Sequence, residues 1–154
     1  MAKEIERKFL VDPNKLPSLS NGDVIKQGYI PTRDLTTVRI RIRSNTAFLT
    51  IKGETQGNTR SEFEYTIPIT DAEHMMEELC QGPKIDKTRY LIHGKKHTWE
   101  LDIFHGDNDG LIVAEIELGQ ENEEITLPEW VTEEVSGDHK YYNSQLLANP
   151  YKDW

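Results

Sequence analysis

Residues 3–11, KEIERKFLV, are the stretch from which the fold can be inferred. The ionisable residues Glu4, Glu6 and Lys8 lie two positions apart, with apolar Ile5 and Phe9 among the residues between and beside them. In a β-strand, successive side chains point to opposite faces. One face of this strand therefore carries two acids and a base, and the other face is apolar. We expect it to pack on its apolar side and to present ionisable groups on the other.

The same alternation of charged and apolar residues returns along the chain. It continues at Arg39, Arg41, Arg43, Lys52, Arg60, Glu62, Glu64, Lys87, Arg89, Glu100, Asp102, Glu115 and Glu117. A single such stretch is typical of a strand with one solvated face. Repeated through one small chain, it requires a cover for every apolar face. A closed sheet with charges inside and apolar residues outside, packed under helices, meets that requirement.

The predicted fold is mainly β (α+β): an eight-stranded closed antiparallel β-barrel with a few covering helices, in a single domain of residues 1–154. Thr70, with Glu73 three residues later, predicts the capped start of one helix. A C-terminal helix is predicted over 138–148. The predicted strands are 3–11, 24–30, 36–43, 47–52, 60–69, 87–93, 97–104 and 111–118. Eight strands close around an interior that side chains or a small ligand can fill.

The charge of the chain is unevenly distributed. The formal net charge is -9 over 154 residues, which argues against a nucleic-acid binder that relies on phosphate contacts. The inward-facing set, with Glu4, Glu6 and Lys8 included, holds eight acids and eight bases. Residues 120–138 contain seven acids and no Lys or Arg. The predicted interior is therefore balanced, and the outside carries the net charge.

Cysteine usage and hydropathy indicate the compartment. Cys80 is the one cysteine, so an intramolecular disulfide is excluded and a reducing, cytoplasmic location is expected. The N-terminal residues MAKEIERK have no apolar core typical of a signal peptide. We expect no membrane segment, because no stretch approaches the roughly 20 apolar residues of a membrane span.

The predicted interior indicates a ligand, because buried charge is costly unless it is paired or bound to a metal. Clustered carboxylates without a His or Cys ligand pattern suit hard cations such as Mg²⁺ or Mn²⁺. Clustered Arg and Lys suit phosphate. Together they favour a metal-complexed polyphosphate. The alternative is an interior of self-neutralising salt bridges that binds nothing.

At this point the sequence resembles a known family. Glu4-x-Glu6-x-Lys8 near the N-terminus resembles the signature of the CYTH superfamily, the triphosphate tunnel metalloenzymes. The likeness spans nearly the whole chain and is closest to the short bacterial inorganic triphosphatase branch. It continues through Gln27-Gly28-Tyr29, Val38-Arg39-Ile40-Arg41, Thr50-Ile51-Lys52-Gly53, Arg60-Ser61-Glu62-Phe63-Glu64, Lys87-Thr88-Arg89-Tyr90, Glu100-Leu101-Asp102, Ala114-Glu115-Ile116-Glu117 and Tyr141-Tyr142-Asn143.

The resemblance implies roles for the charged residues of an eight-stranded triphosphate tunnel. The chief metal ligands would be Glu4, Glu6, Glu115 and Glu117. Glu62, Glu64 and Asp102 would be supporting ligands or would orient the bases. Phosphates would be held by Lys8, Arg39, Arg41, Lys52, Lys87 and Arg89, with Arg60 and Arg43 as further candidates and Tyr29 nearby. The catalytic set would be Glu4, Glu6, Lys8, Lys52 and Glu117. The C-terminal helix would plug one opening, and Lys140 would contribute to the site.

The expected activity is metal-dependent hydrolysis of inorganic tripolyphosphate, a phosphoanhydride hydrolase reaction that needs Mg²⁺ or Mn²⁺ and no protein nucleophile. The short chain shows no base-recognition insert. Alternatives on the same scaffold are an adenylate cyclase and a thiamine or nucleoside triphosphatase. A non-catalytic polyphosphate-binding module is a further alternative. Relatives are often dimers, so a homodimer is among the expected states, although the sequence carries no interface signature.

Overall fold

Eight antiparallel strands close on themselves into a barrel in the computed structural model, which describes residues 3–154. The strands are β1 (Lys3–Val11), β2 (Asp23–Ile30), β3 (Thr37–Arg43), β4 (Thr46–Lys52), β5 (Thr59–Ile67), β6 (Ile85–His93), β7 (Thr98–Phe104) and β8 (Ile112–Glu117). Their order is β5-β4-β3-β2-β6-β7-β8-β1, and β1 pairs back onto β5. The predicted fold class is confirmed.

The first strand closes the barrel by pairing on both of its edges. One edge pairs with β8. On the other edge, the first residues of β1 pair with β5, and its last residues pair with a short ninth strand, β9 (Val131–Glu134). The Arg7 guanidinium donates to Glu134 at 2.9 and 2.6 Å, which ties β9 to β1. The prediction missed β9, because its four residues lie in the acidic stretch and are too few to show an alternation.

Apolar residues cover the outside of the barrel, as the alternation predicts. The helix α1 (Ile69–Glu78) packs Ala72 against Ile40 and Ala47 of the sheet. On the opposite part of the wall, Trp99 packs edge-to-face against Phe9 and Trp130, with ring centroids 5.5 and 5.4 Å apart. The long connection before β9 therefore serves as a cover where no helix is present.

The interior changes from charged to apolar at one end of the barrel. Ile85, Phe104 and Val113 lie two residues along from Lys87, Asp102 and Glu115 and face the same way. They are buried in one cluster with residues of the C-terminal segment, among them Tyr141 and Leu146. We call this the closed end.

Two predicted helices differ from the structure. Thr70 is not an N-cap: Pro68 precedes α1, and its fixed φ suits the start of a helix without a side-chain cap. The helix predicted over 138–148 is wrong in extent. It is a 3-10 turn at His139–Tyr141 and a short helix, α2 (Asn143–Leu146), separated by Tyr142 in an extended conformation. None of the helices in residues 3–154 is long and apolar enough to span a membrane.

Candidate active site

A cavity of about 230 Å³ inside the barrel is lined by charged side chains. Fifteen of the sixteen ionisable residues predicted to face inward line its wall. They are Glu4, Glu6, Lys8, Arg39, Arg41, Arg43, Lys52, Arg60, Glu62, Glu64, Lys87, Arg89, Glu100, Glu115 and Glu117. Tyr29 also lines the cavity, as predicted, together with Tyr142 and Asn143. The alternating pattern thus brings residues from all eight strands to one concave surface.

Asp102 is the exception, because it lies behind the cavity wall. Its two carboxylate oxygens accept hydrogen bonds from Lys87 Nζ at 2.7 Å and from Arg89 Nε and Nη2 at 2.7 and 2.9 Å. Burial acts to raise the pKa of Asp102, but Arg89 and Lys87 outweigh it and lower this pKa to about 2. The resemblance left two roles open for Asp102, a supporting metal ligand or a residue that orients the bases. Its contacts with Lys87 and Arg89 fit the second role.

Arg41 is a buried cation without a matching acid. Its Nε donates to Gln27 Oε1 at 2.8 Å, and no carboxylate among residues 3–154 lies within salt-bridge distance of its guanidinium. Burial, together with the neighbouring charges of Arg39 and Arg89, lowers the pKa of Arg41 to about 9. Such a group is stabilised when an anion supplies the missing negative charge.

Arg39 presents a second unmatched donor beside Arg41. Its Nε is buried and has no hydrogen-bond partner within the described part of the chain. Its Nη2 contacts Thr50 Oγ1 at 3.2 Å and Glu64 at 3.5 Å, which is a long hydrogen bond. Buried polar groups in proteins are nearly always satisfied. Arg39 and Arg41 therefore present incompletely satisfied donors to the cavity, which an anion would match.

The carboxylates of β1 are engaged with basic or acidic neighbours. Glu4 accepts from Lys52 Nζ at 2.8 and 3.0 Å and from Arg60 Nε at 3.1 Å. Burial acts to raise the pKa of Glu4, but Lys52 and Arg60 outweigh it, and the net shift is downward. Glu6 shares a hydrogen bond with Glu115, and burial together with the Glu115 charge raises the pKa of Glu6 well above its usual value. The pKa of Glu115 shifts the other way, since the opposing effect of burial is outweighed by Lys8 and by Glu6, so a proton on the pair is favoured on Glu6 rather than on Glu115.

The carboxylate set fits a hard divalent cation in its chemistry. Glu6 lies directly opposite Glu117 in the β1–β8 ladder, an arrangement of like charges that is unfavourable without a compensating cation. Burial, with Glu4, Glu100 and Glu62 nearby, raises the pKa of Glu117. A bound cation would replace the proton that Glu6 and Glu115 share, and oxygen donors are what Mg²⁺ and Mn²⁺ prefer.

These acids are not pre-assembled into a metal centre. Within residues 3–154, no three His, Cys, Asp or Glu side chains gather closely enough to hold an ion together. Glu4 is held by Lys52 and Arg60, and Glu6 by Glu115. The metal-ligand roles of Glu4, Glu6, Glu62, Glu64, Asp102, Glu115 and Glu117 stay predictions.

The C-terminal segment contacts the cavity at the closed end. Lys8 Nζ donates to the Tyr141 carbonyl at 3.2 Å. The Tyr142 ring lies 5.4 Å from Lys8 Nζ and 5.8 Å from the Arg60 guanidinium, within the range of cation–π contacts. Lys140, predicted to contribute to the site, points away instead, with its Nζ 4.4 Å from the centroid of the Trp154 ring. The 3-10 turn directs Tyr141 inward and leaves Lys140 outside.

The other end of the cavity is open and carries more exposed acids. Glu62, Glu64 and Glu100 have side chains that are 30, 43 and 35% exposed. Arg43 donates there to Asp23 at 2.9 and 2.7 Å, so this arginine is already paired. We call this region the open end.

Charge alternation could not find the neutral residues of the site. Gln27, which is fully buried, accepts from Arg41, and Asn143 accepts from Lys87 Nζ at 2.9 Å. Thr50 donates to Glu64 at 3.0 Å. Gln27 lies two residues from Tyr29 on the inward face of β2, and Asn143 begins α2, where no periodic pattern marks it. The signal for both is the family resemblance, which includes Gln27-Gly28-Tyr29 and Tyr141-Tyr142-Asn143 but gave neither amide a role.

A CYTH domain model matches residues 2–145. The chain belongs to the CYTH domain family. It is 44% identical over 154 residues to an inorganic triphosphatase of Acetivibrio thermocellus. That alignment covers 100% of this chain and 99% of the relative. The chain is 35% identical over 156 residues to an inorganic triphosphatase of Nitrosomonas europaea, with 95 and 97% covered.

Solved CYTH-like structures agree with the barrel. A crystal structure of an inorganic triphosphatase superposes with a TM-score of 0.66 at 33% identity, covering 93% of this chain and 96% of that one. A putative adenylate cyclase from Bacillus halodurans superposes with a TM-score of 0.62 at 19% identity, covering 79 and 84%. The second likeness supports the fold alone. The charged cavity described above is therefore the interior of a CYTH tunnel.

Proposed function

We propose that this CYTH protein hydrolyses inorganic tripolyphosphate with Mg²⁺ or Mn²⁺. The observation that carries the proposal is a pair of buried arginines that are incompletely satisfied within residues 3–154: Arg41 has no carboxylate partner, and Arg39 has an unbonded Nε and a long contact with Glu64. The same cavity also holds Lys8, Lys52 and Lys87. A compact polyanion supplies the missing negative charge. Two relatives that match nearly the whole chain are named inorganic triphosphatases, which supports the same substrate.

The chain's own residues would act by positioning and charge. Arg39 and Arg41 would hold phosphate oxygens through bidentate hydrogen bonds. Lys87 and Arg89, fixed from behind by Asp102, would offset charge on the transferring and leaving phosphates. Phosphoryl transfer depends mostly on such positioning and electrostatics. The buried cavity would strengthen these interactions, because the local dielectric is low.

Glu4, Glu6, Glu115 and Glu117 are the residues that would hold the cation, with Glu62 and Glu64 as supporting ligands. When bound, the cation would neutralise phosphate charge and lower the pKa of a coordinated water. Glu6 would release to solvent the proton that it shares with Glu115. Lys52 and Arg60 would keep Glu4 ionised and in place, because both already bind its carboxylate.

The test is a substrate panel of tripolyphosphate, pyrophosphate, ATP and thiamine triphosphate, assayed with Mg²⁺, with Mn²⁺ and in chelator. We expect metal-dependent phosphate release from tripolyphosphate. Arg41→Gln should abolish most of it, whereas Arg33→Gln, which removes an exposed arginine from a turn, should leave it intact. Turnover that persists in chelator would overturn the metal requirement. Binding without any product would favour the polyphosphate-binding module instead.

One observation favours a second candidate, the hydrolysis or cyclisation of an organic triphosphate. A cavity of about 260 Å³ adjoins the first and shares Tyr29, Arg60 and Tyr142 with it. Its wall adds the apolar side chains of Ile30 and Leu35, which could contact an organic group. Faster turnover of ATP or thiamine triphosphate than of tripolyphosphate would favour this candidate, and cyclic AMP among the products would identify a cyclase.

A further inference from the structure

Two buried amides connect the phosphate-gripping bases to the closing C-terminal segment. Gln27 Oε1 accepts from Arg41 Nε at 2.8 Å, and Gln27 Nε2 donates to Asn143 Oδ1 at 3.3 Å. Asn143 Oδ1 also accepts from Lys87 Nζ at 2.9 Å. A single chain of hydrogen bonds therefore runs from Arg41 on β3 through β2 and α2 to Lys87 on β6.

The orientation of both amides is fixed by their partners. Arginine and lysine side chains only donate hydrogen bonds. The amide oxygens of Gln27 and Asn143 must therefore face Arg41 and Lys87. The remaining amide donor of Gln27 then points to Tyr29 Oη, at 2.7 Å, and to Asn143. Gln27 is fully buried, so no water competes for these positions.

The neutrality of these amides matters for the chemistry. A carboxylate at position 27 or 143 would satisfy the same donors and would also neutralise Arg41 or Lys87. At Arg41, the Gln27 amide oxygen holds the cation in place and leaves its charge available for an anion. Lys87 already pairs with Asp102, and the Asn143 amide oxygen holds it without adding a second negative charge. Asp102 illustrates the contrast, since it takes up the charge of the two bases that it orients. Gln27 and Asn143 thus fix the positions of Arg41 and Lys87 without adding negative charge beside them.

We propose that Gln27 and Asn143 are positioning residues that set Arg41 and Lys87 for phosphate binding when the 139–146 segment closes the tunnel. The proposal rests on the proposed function only for the identity of the anion. The closing segment is then part of the anion site. Within residues 3–154, displacement of Asn143 would leave Lys87 Nζ with Asp102 alone and Gln27 Nε2 with Tyr29 Oη alone, so neither base would keep the position that it has here.

Charge-adding variants test the proposal, because they keep the acceptor atoms. In Gln27→Glu and Asn143→Asp the acceptor oxygen stays and a negative charge is added. We expect the KM for tripolyphosphate to rise about tenfold or more, with a thermal midpoint equal to or above that of the wild type. Asn149→Asp is the matched control, since Asn149 is exposed three residues beyond that segment, and its KM should stay within about twofold of the wild-type value. A wild-type KM in Asn143→Asp and Gln27→Glu would mean that both amides are merely structural and would overturn the proposal.

A double-mutant cycle tests whether the two amides act together. Gln27→Leu and Asn143→Ala should each lower kcat/KM about tenfold, and the double variant should lose little more than either single one. Independent, multiplying effects would contradict the coupling. The same proteins are titrated with tripolyphosphate in chelator by calorimetry. Binding by the wild type in chelator, with no phosphate release once Mg²⁺ or Mn²⁺ is added, would overturn the hydrolysis and leave the positioning to be tested by the binding constants. No binding by the wild type would overturn both.

Discussion

The closed and open ends of the tunnel use the same residue types in opposite ways. At the closed end, Lys87 and Arg89 are buried on a fully buried Asp102, and the apolar cluster around Tyr141 and Leu146 excludes water. At the open end, Arg43 pairs with half-exposed Asp23 beside acids that stay in contact with solvent. Breaking an ion pair at the closed end should therefore cost more unfolding free energy than breaking one at the open end, where water screens the charges.

This difference indicates where a polyanion is held. Arg41, which has no carboxylate partner among residues 3–154, and Arg39, whose Nε is unbonded and whose contact with Glu64 is long, lie buried between the two ends. Arg43 is already paired at the open end. Exposed Glu64 and Glu100 would repel an anion at that opening. We infer that the anion is held in the buried part of the cavity and that the open end contributes little to its binding energy.

The largest expected effect is on stability at the closed end. Asp102→Asn removes the carboxylate that Lys87 and Arg89 share, and a broken buried pair typically costs about 3–5 kcal/mol of unfolding free energy. Glu100→Gln removes an acid of the open end that contacts the same Arg89 at 3.0 Å, and it should cost about 1 kcal/mol or less. Urea unfolding of both variants measures the difference. Equal losses would contradict the contrast between the two ends.

The next effect is on activity and compares two arginines of β3. Arg41→Gln removes an unmatched buried cation, and kcat/KM for tripolyphosphate should fall about 10- to 150-fold. Arg43→Gln removes a cation that already binds Asp23, so a fall of less than about fivefold is expected. Steady-state kinetics at one metal concentration gives both values. A larger loss for Arg43 than for Arg41 would place the anion at the open end.

A smaller effect is a pH-dependent gain in stability from Glu6→Gln. The folded chain keeps a proton on Glu6 above its ordinary pKa of 4.5, and the unfolded chain loses it. The unfolding free energy contributed by this group therefore falls as the pH rises through 4.5 towards the raised pKa. In chelator at pH 7, Glu6→Gln should raise the thermal midpoint by about 2–4 °C, and the gain should vanish below pH 4.5.

Added Mg²⁺ sharpens this prediction. The cation should stabilise the wild type, which has a carboxylate to offer, more than Glu6→Gln. Glu133→Gln, at an exposed position outside the cavity, is the control and should follow the wild type. If Mg²⁺ stabilises Glu6→Gln and the wild type equally, Glu6 is not a ligand.

The smallest effect is expected from Asp23→Asn at the open end. The substitution frees Arg43 from its carboxylate and allows it to turn towards the bound anion. Tripolyphosphate affinity should rise about two- to threefold at low salt and return to the wild-type value at high salt, because exposed charges are screened. The unfolding free energy should fall by less than about 1 kcal/mol. Calorimetric titrations at two salt concentrations measure this change.

The sequence predicts the barrel and the charged wall because both follow from a period of two. Glu4, Arg41 and Glu115 could be placed in one cavity once eight alternating strands were recognised. β9 could not be predicted, since four residues in an acidic stretch carry no periodic signal. The broken helix at Tyr142 could not be predicted either, because its extended backbone is set by the packing of neighbouring Tyr141 into the closed end.

The pairing of charges within the cavity depends on three-dimensional distances that periodicity does not contain. The pattern treats Asp102 and Glu100 as equivalent, yet one is buried behind the wall and the other is half-exposed at the open end. Gln27 and Asn143 carry no charge, so a search for ionisable residues passes over them. The sequence therefore indicated the composition of the site and left its internal division into two ends to the structure.

The pairing of β1 on both edges has a consequence for the order of folding. β2 to β5 and β6 to β8 each form runs of neighbours in sequence, whereas β1 pairs with residues from 59–61, 113–117 and 131–134. Contacts of such long sequence separation form late, because loop closure costs entropy before they form. The partly folded chain then displays the arginines of β3 without Glu4 and Glu6 of β1. Until its first strand docks, the inner face of the sheet keeps seven bases against six acids, and Lys52 and Arg60 lack the Glu4 carboxylate that binds them in the finished barrel.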